Sequence, residues 1–476
     1  MYFSSLIFLC VFFPVFLFVY FRMGSVETQN RTLLFFSLLF YCWGGVRYLI
    51  LLLIMTALGY FMGRIIESKS NPRTKKAFLI LSIILFLAVL GVFKYTAFFL
   101  GTIGSILQKD WSFFRIALPL GIAFYTLKLI SYVTDVYTEK CSAADNFFDL
   151  LLYTSIFHQS MAGPLDRYSE LLPQFIERKT TLKNLVGGMT RFCTGLGKKT
   201  ILADHCGSLA ASLLPLSSNI HSVPITGVWL GSICYMLQIY LDFSAYTDMA
   251  LGLGQMIGFH CRENFNYPYI AVSVKDFWRR WHISLSAFFR DYVYIPLGGN
   301  RRSVGRTIFN LFVVWMLTGL WHGAGWNYLL WGLFYFVFIT LENIYTAKGG
   351  RTLPKALGHL YTLFVVFIGW ILFRFEDFGQ LTMALKGLVG LNNNAFTSAA
   401  IAVVFKNNLF FLIIAILACT PLAAQQAEKI NKKMNRRLHN IGKAMLLRIA
   451  FCIIVILVSI FALIGNSYTP FLYSQF

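Results

Sequence analysis

Apolar runs long enough to enter a bilayer recur from one end of the chain to the other. They fall at 3–21, 32–46, 48–63, 77–100, 115–137, 200–216, 224–260, 305–343, 357–375, 399–420 and 445–467. A helical crossing takes about 20 apolar residues, so the runs predict about ten to twelve passes or partial insertions. The 224–260 and 305–343 runs exceed one crossing, and each is expected to be tilted, broken or doubled. Strict apolar/polar alternation is missing, which argues against a membrane barrel and for an all-α polytopic fold. The run 3–21 reads as a retained helix, with no basic residue ahead of it and no small-residue cleavage site behind. Arg22 and Arg31 follow it, so the N-terminus is expected outside.

Two segments are too short or too polar to cross. In Ser160-Met-Ala-Gly163-Pro164-Leu-Asp166-Arg167-Tyr168 a Gly-Pro breaker meets charges at the end of an apolar run. That combination predicts a re-entrant turn or interfacial corner, lined by protein or water. The second segment, Val274 to Leu297, carries much of the candidate chemistry.

Composition excludes a soluble domain, because hydrophobic residues make up 57% of the chain and charged ones 13%. The net charge of +21 would suit a nucleic-acid partner, but its placement argues for topology. Basic residues cluster in short loops: Arg64 to Lys76, Arg178-Lys179, Lys198-Lys199, Arg301-Arg302 and Lys429 to Arg437. This is the positive-inside pattern, with attraction to anionic lipid added. The nine cysteines are dispersed without a CxxC pair, as buried core residues would be. His158 and His260 end apolar runs, His359 and His439 sit near basic loops, and none forms the His-Glu-x-x-His arrangement of a metal site.

Polar and ionisable residues concentrate from Gln238 to Trp331, with no internal repeat of the transporter kind. Gln238, Asp242 and Tyr246 recur every four residues on one helical stripe, and Ser244 pairs with Asp248 on a second. Carboxylates in an apolar run need partners, and the cations of 275–302 are the expected suppliers. A packing network explains these residues at least as well as direct catalysis.

From Val274, a basic face of Lys275, Arg279 and Arg280 opposes Trp278, Trp281, Leu285, Phe288 and Phe289. On one helix Trp278 would neighbour His282, and Asp276 would neighbour Arg280. The pattern predicts a helix lying in the membrane interface. It serves as an anchor or as a site where arginines pair with the phosphates of a carrier such as coenzyme A. His322 lies among Gly319, Gly323 and Gly325 inside an apolar run, with Trp326 and Leu329 expected on its face. An ionisable group at that depth marks a functional site. A neutral imidazole there is able to take a proton from an attacking hydroxyl or thiol, although a hydrogen-bonded core histidine is the plain alternative.

Four runs together resemble the membrane-bound O-acyltransferase (MBOAT) family. They are Gln238-Ile-Tyr-Leu-Asp242-Phe-Ser244-Ala-Tyr246-Thr-Asp248, Asn264-Phe-Asn266-Tyr-Pro268, Asp276-Phe-Trp278-Arg-Arg-Trp281-His282-Ile-Ser284 and Trp321-His322-Gly-Ala-Gly-Trp326. The stretch Tyr292-Val-Tyr-Ile-Pro296-Leu-Gly-Gly-Asn-Arg resembles the alginate O-acetyltransferase branch more than the teichoic-acid D-alanyl branch. Phe3-Ser-Ser-Leu-Ile-Phe-Leu and Gly163-Pro-Leu-Asp-Arg fit the same branch. The likeness runs from the N-terminus to residue 345, and beyond that it is one of hydropathy alone.

The resemblance implies an all-α fold of helices around a central tunnel, forming one membrane domain over 1–476. Within it, 1–140 would hold N-terminal helices, 141–345 a catalytic core with interfacial and re-entrant helices, and 346–476 the C-terminal helices. The family's catalytic histidine carries over to His322 and its second histidine to His282. An acetyl group would pass from cytoplasmic acetyl-CoA toward O-acetylation of an extracytoplasmic polysaccharide. A separate extracytoplasmic SGNH-type transferase would place it there, and this chain would itself sit as a multi-pass protein in the bacterial inner membrane. A water-free tunnel would protect the thioester from hydrolysis.

On this reading acetyl-CoA is a substrate, with no tightly bound cofactor and no metal. It docks near Arg279, Arg280, Trp281, Arg301 and Arg302. His322 acts as general base or as transient acyl acceptor, with His282 as the second catalytic residue. Gln238, Asp242, Tyr246, Asp248, Asn266, Trp278, Ser284 and Trp326 support the path. Membrane lipid and polysaccharide are partners, and nucleic acid is not. The alternatives are a teichoic-acid D-alanyl transferase, a polysaccharide or lipid transporter, and a scaffold without turnover.

Overall fold

A computed structural model describes residues 1–109, 116–350, 353–437, 441–465 and 471–472, and His439 lies outside these ranges. Among the described residues the secondary structure is helical throughout, with no strand. The chain gathers into two compact units, Met1–Phe192 with Thr247–Arg262, and Cys193–Tyr246 with Glu263–Phe476.

The first unit holds α1 (Phe13–Arg22), α2 (Val26–Cys42), α3 (Val46–Ser68), α4 (Pro72–Leu107), α5 (Ile122–Tyr137), α6 (Phe147–Ser155), α7 (Tyr168–Ile176) and most of α8 (Leu182–Gly197). Helix starts follow local chemistry. Ser25 and Thr28 cap α2 reciprocally, and Asn71 accepts from the Arg73 amide just ahead of Pro72 at the head of α4. The turn expected around Gly163-Pro164 is irregular and fully buried. Its polar groups are satisfied from within the unit: Lys128 Nζ donates to Tyr153 O at 3.0 Å and to Gln159 Oε1 at 2.8 Å. Gln159 Nε2 in turn donates to Asp166 Oδ2 at 2.8 Å. Non-helical backbone survives in an apolar setting only with such partners.

The second unit holds α9 (Asp204–Leu213), most of α10 (Ile225–Met256), α11 (Val274–Arg280), α12 (Ile283–Phe289), α13 (Val304–His322), α14 (Trp326–Ala347), α15 (Lys355–Arg374), α16 (Phe378–Leu388), α17 (Ala399–Ala418), α18 (Leu422–Arg437) and α19 (Ile441–Gly465). Among the described residues seven helices are long and apolar enough to cross a membrane: α3, α4, α13, α14, α15, α17 and Met445–Ile464 within α19. The 224–260 run is one 32-residue helix. The 305–343 run is doubled, because α13 stops at His322 and α14 starts at Trp326.

Glycine lets these two helices fold back on each other. A Cβ on Gly319 would lie 2.5 Å from Tyr328 O, and one on Gly332 would lie 2.4 Å from Trp315 O. Backbones pack this closely only where side chains are absent.

The single interfacial helix expected from Val274 does not form. α11 and α12 are seven residues each, and between them Trp281 is extended and His282 adopts φ 45°, ψ 55°. The break removes the expected Trp278–His282 helical neighbour relation, whereas Asp276 and Arg280 do pair at 3.1 Å. Trp278 and Trp281 are buried rather than facing an interface. A π-helical turn, Arg290–Tyr294, continues α12 toward the basic loop.

Candidate active site

Inside the second unit a cavity of about 290 Å³ is lined by His282 and His322 together, with Lys275, Trp278, Arg279, Leu285, Ser286, Phe289, Arg290 and Tyr294. Leu311, Val314, Trp315, Thr318 and His322 complete one wall, and these positions form one face of α13. From Leu311 to His322 that face extends about 16 Å at 1.5 Å per residue. The cavity is therefore a slot with exposed cations, Arg279 and Arg290, at its rim and two buried imidazoles deeper in.

His322 is the last residue of α13 and is 2% exposed. Its ring meets Trp331 edge-on at 4.9 Å, Phe373 at 5.4 Å and Trp321 at 5.0 Å. The aromatic box fixes the ring and keeps water away from it.

His282 reaches the same cavity from a left-handed backbone conformation that costs a non-glycine residue about 1–2 kcal/mol. Asn264 holds it there. Asn264 Oδ1 accepts from Ser284 N at 3.1 Å and from Ser284 Oγ at 2.9 Å, and it lies 3.1 Å from His282 Nδ1. The Ser284 amide donates only, so Oδ1 is the acceptor and His282 Nδ1 carries the proton. That tautomer leaves Nε2 as the basic nitrogen of the ring. Asn264 was not singled out from the sequence, though it stands in the Asn-Phe-Asn run, because only the fold aims its side chain at His282.

Burial pushes the His282 imidazole down from 6.5 to about 3. Between those values the unfolded chain binds more protons than the folded one, so stability falls as pH drops through the window. His282→Gln is expected to flatten the fall in Tm between pH 6.5 and about 4, measured by thermal unfolding across buffers. An unchanged slope would contradict a buried, neutral His282.

The carboxylates of α10 find partners other than those expected. No cation of 275–302 pairs with them among the described residues. A π-helical turn, Lys198–Ala203, swings Lys199 Nζ to 2.7 Å from Asp242 and 2.8 Å from Asp204. The second oxygen of Asp242 accepts from Leu472 N at 2.7 Å, and Phe471 lies edge-on to Tyr246 at 5.1 Å. In the first unit, Asp248 pairs with Arg191 at 3.1 Å. Clusters of this kind satisfy buried charge and fix packing. Sequence spacing could not assign the partners, since Lys199 reads there as a loop cation.

The other predicted residues are placed as follows. Arg279 and Trp278 line the cavity; Arg280, Trp281, Arg301, Arg302, Gln238, Asp242, Tyr246, Asn266, Ser284 and Trp326 do not. Trp281 stacks in an aromatic core with Phe277 and Trp370. Asn266 and Arg280 tie their backbones together, and Gln238 packs against Gly207 of α9. Trp326 is 52% exposed, because the break at Gly323–Gly325 takes it off the face of His322, and Trp331 stands against the imidazole instead.

Among the described residues, seven helices apolar enough to cross a membrane and a cavity lined by two buried imidazoles define a polytopic membrane protein with a candidate acid–base site. Residues 79–378 match MBOAT, the membrane-bound O-acyltransferase family, and the chain belongs to it. It is 42% identical to the "Probable alginate O-acetylase AlgI" of Pseudomonas aeruginosa over 79% of this chain and 72% of that one. It is 34% identical to the protein of that name from Azotobacter vinelandii over the whole of both chains. It is also 34% identical to the "Peptidoglycan O-acetyltransferase" of Helicobacter pylori over 82% of this chain and 80% of that one. The chain is a multi-pass membrane O-acyltransferase.

Proposed function

We propose that the chain takes an acetyl group from cytoplasmic acetyl-CoA and passes it across the bacterial inner membrane, where an extracytoplasmic SGNH-type transferase sets it on a polysaccharide hydroxyl. The observation that carries this reading is the slot along α13, with cations at its rim and both imidazoles deeper in. A thioester fits that polarity: an apolar arm lies against Trp278, Phe289 and Trp315, and its carbonyl meets His322. As general base, His322 takes the proton of the attacking hydroxyl, whose oxygen bonds to the carbonyl carbon. The carbon–sulfur bond breaks, and the thiolate of coenzyme A leaves with the proton held by the imidazole. As transient acceptor, the imidazole nitrogen itself bonds to the carbonyl carbon while the carbon–sulfur bond breaks and the thiolate leaves; the hydroxyl oxygen then displaces the imidazole, which takes up the hydroxyl proton. His282, set by Asn264, orients groups from the facing wall.

The relatives named for alginate and peptidoglycan acetylation support the acetyl group and a glycan acceptor. Donor choice tests the reading. The purified chain in nanodiscs is expected to release thiol from acetyl-CoA and not from a D-alanyl carrier protein. The opposite preference would move it to teichoic-acid D-alanylation, and release from neither donor would mean that the acyl group arrives on another carrier.

A further inference from the structure

Among the described residues α19 is the least covered of the seven apolar helices, with 11% of Met445–Ile464 buried, and the rest of its surface is left to lipid. One seam within the second unit fastens it to the end of α8 and to the π-helical turn Lys198–Ala203 that follows. Thr200 Oγ1 donates to Ser459 Oγ at 3.0 Å. One turn earlier, a Cβ on Gly197 would lie 3.2 Å from Val455 Cγ1. A further turn back, the thiols of Cys193 and Cys452 are hydrogen-bonded to each other. Cys193 and Thr200 are seven residues apart, as are Cys452 and Ser459. The two segments therefore run side by side in one direction and in register over about 10 Å.

This seam brings two thiols to a place where a bond between them needs little movement. A disulfide requires Cα atoms within about 7 Å, and a glycine in the contact lets helices approach that closely. Both thiols are buried, whereas Phe451, Ile453 and Ile454 beside Cys452 are exposed. The pair lies one layer beneath an apolar, lipid-facing surface. That position shields it from oxidants confined to water and leaves it open to one dissolved in lipid.

We propose that Cys193 and Cys452 are a redox modification site, which a lipid-soluble quinone converts to a disulfide that staples α19 to the second unit. Two S–H bonds break and one S–S bond forms. The two electrons and two protons pass to the quinone, which leaves as the quinol. None of the seam residues lines the catalytic slot, so the site is separate from the acyl chemistry. The stapled seam carries the turn from which Lys199 reaches Asp242 and Asp204, and oxidation fixes that buried ion cluster as well.

The experiment treats the full chain in nanodiscs with decylubiquinone, a short-chain quinone that partitions into lipid. The protein is then denatured in detergent and its thiols are labelled with a maleimide–polyethylene glycol. Reduced wild type should take up nine labels and the oxidised form two fewer. Mass spectrometry should show a peptide linked through Cys193 and Cys452 that disappears on reduction. Oxidation should raise the Tm of wild type by about 5 °C or more, because the bond closes a long loop. Cys193→Ala and Cys452→Ala should each lose no further label to the quinone and gain nothing in Tm. Glutathione disulfide, which stays in water, should leave wild type fully labelled.

No loss of labels with the quinone overturns the assignment. So does a linked peptide through Cys206, Cys234 or Cys419, the other buried thiols of the second unit. Oxidation by glutathione disulfide as fast as by the quinone overturns the lipid route. A Tm that stays put once the bond has formed overturns the staple. The linked peptide is read in wild type, so the result does not depend on how well a variant folds.

Discussion

His322→Ala is expected to lower acyl turnover by about 10²–10⁴-fold, the range supplied by a positioned proton-transfer group. The residue lines the slot, is 2% exposed and is boxed by Trp321, Trp331 and Phe373, which fix the imidazole as the base. His322→Gln keeps the volume and a hydrogen-bonding edge but not the basic nitrogen, and it should be nearly as inactive. Thiol release in nanodiscs reports turnover, and thermal unfolding reports whether the variant is folded. A drop in turnover with Tm preserved locates the chemistry at His322. Equal turnover in wild type and both variants would leave His322 a packing residue and shift the reaction to His282.

The second large effect is on stability. Lys199 is 2% exposed and stands between Asp242 and Asp204 at 2.7 and 2.8 Å. Removing one partner of a buried pair leaves the other charge uncompensated, at a cost of about 3–5 kcal/mol. Lys199→Met should therefore lose about that much, with two carboxylates stranded. The double variant Lys199→Met/Asp242→Leu should recover part of it, since the charge nearest the lesion is gone. Chemical denaturation in detergent measures both variants. A loss under about 1 kcal/mol for Lys199→Met would mean that water reaches the cluster and screens it.

What the sequence carried well was whatever depends on length and polarity. Apolar runs located the long apolar helices but not the shorter α6, α7, α8, α16 and α18, and the buried turn around Gly163-Pro164 followed from a breaker beside charges. His282 and His322 stood out because imidazoles inside apolar surroundings are rarely idle, and the fold brings both to one cavity. What it carried badly was whatever depends on where a helix breaks or what crosses space. His282 in a left-handed conformation splits the expected interfacial helix, because the contact with Asn264 outweighs local propensity. The Gly323–Gly325 break replaces Trp326 by Trp331 at the imidazole. A π-helical turn puts Lys199 on Asp242, and no spacing rule read from one chain anticipates a five-residue bond pattern.

The most direct measurement is a structure of the full chain in nanodiscs with a thioether analogue of acetyl-CoA, whose carbon–sulfur bond cannot be cleaved by acyl transfer. The account predicts the arm lying along Leu311 to His322 with the acyl group facing a His322 ring nitrogen, the acyl carbon within about 3–3.5 Å of it where the imidazole is the acceptor and one hydroxyl oxygen further away where it is the base. An analogue bound outside that slot, or inside it with its acyl group turned away from both imidazoles, would contradict the account.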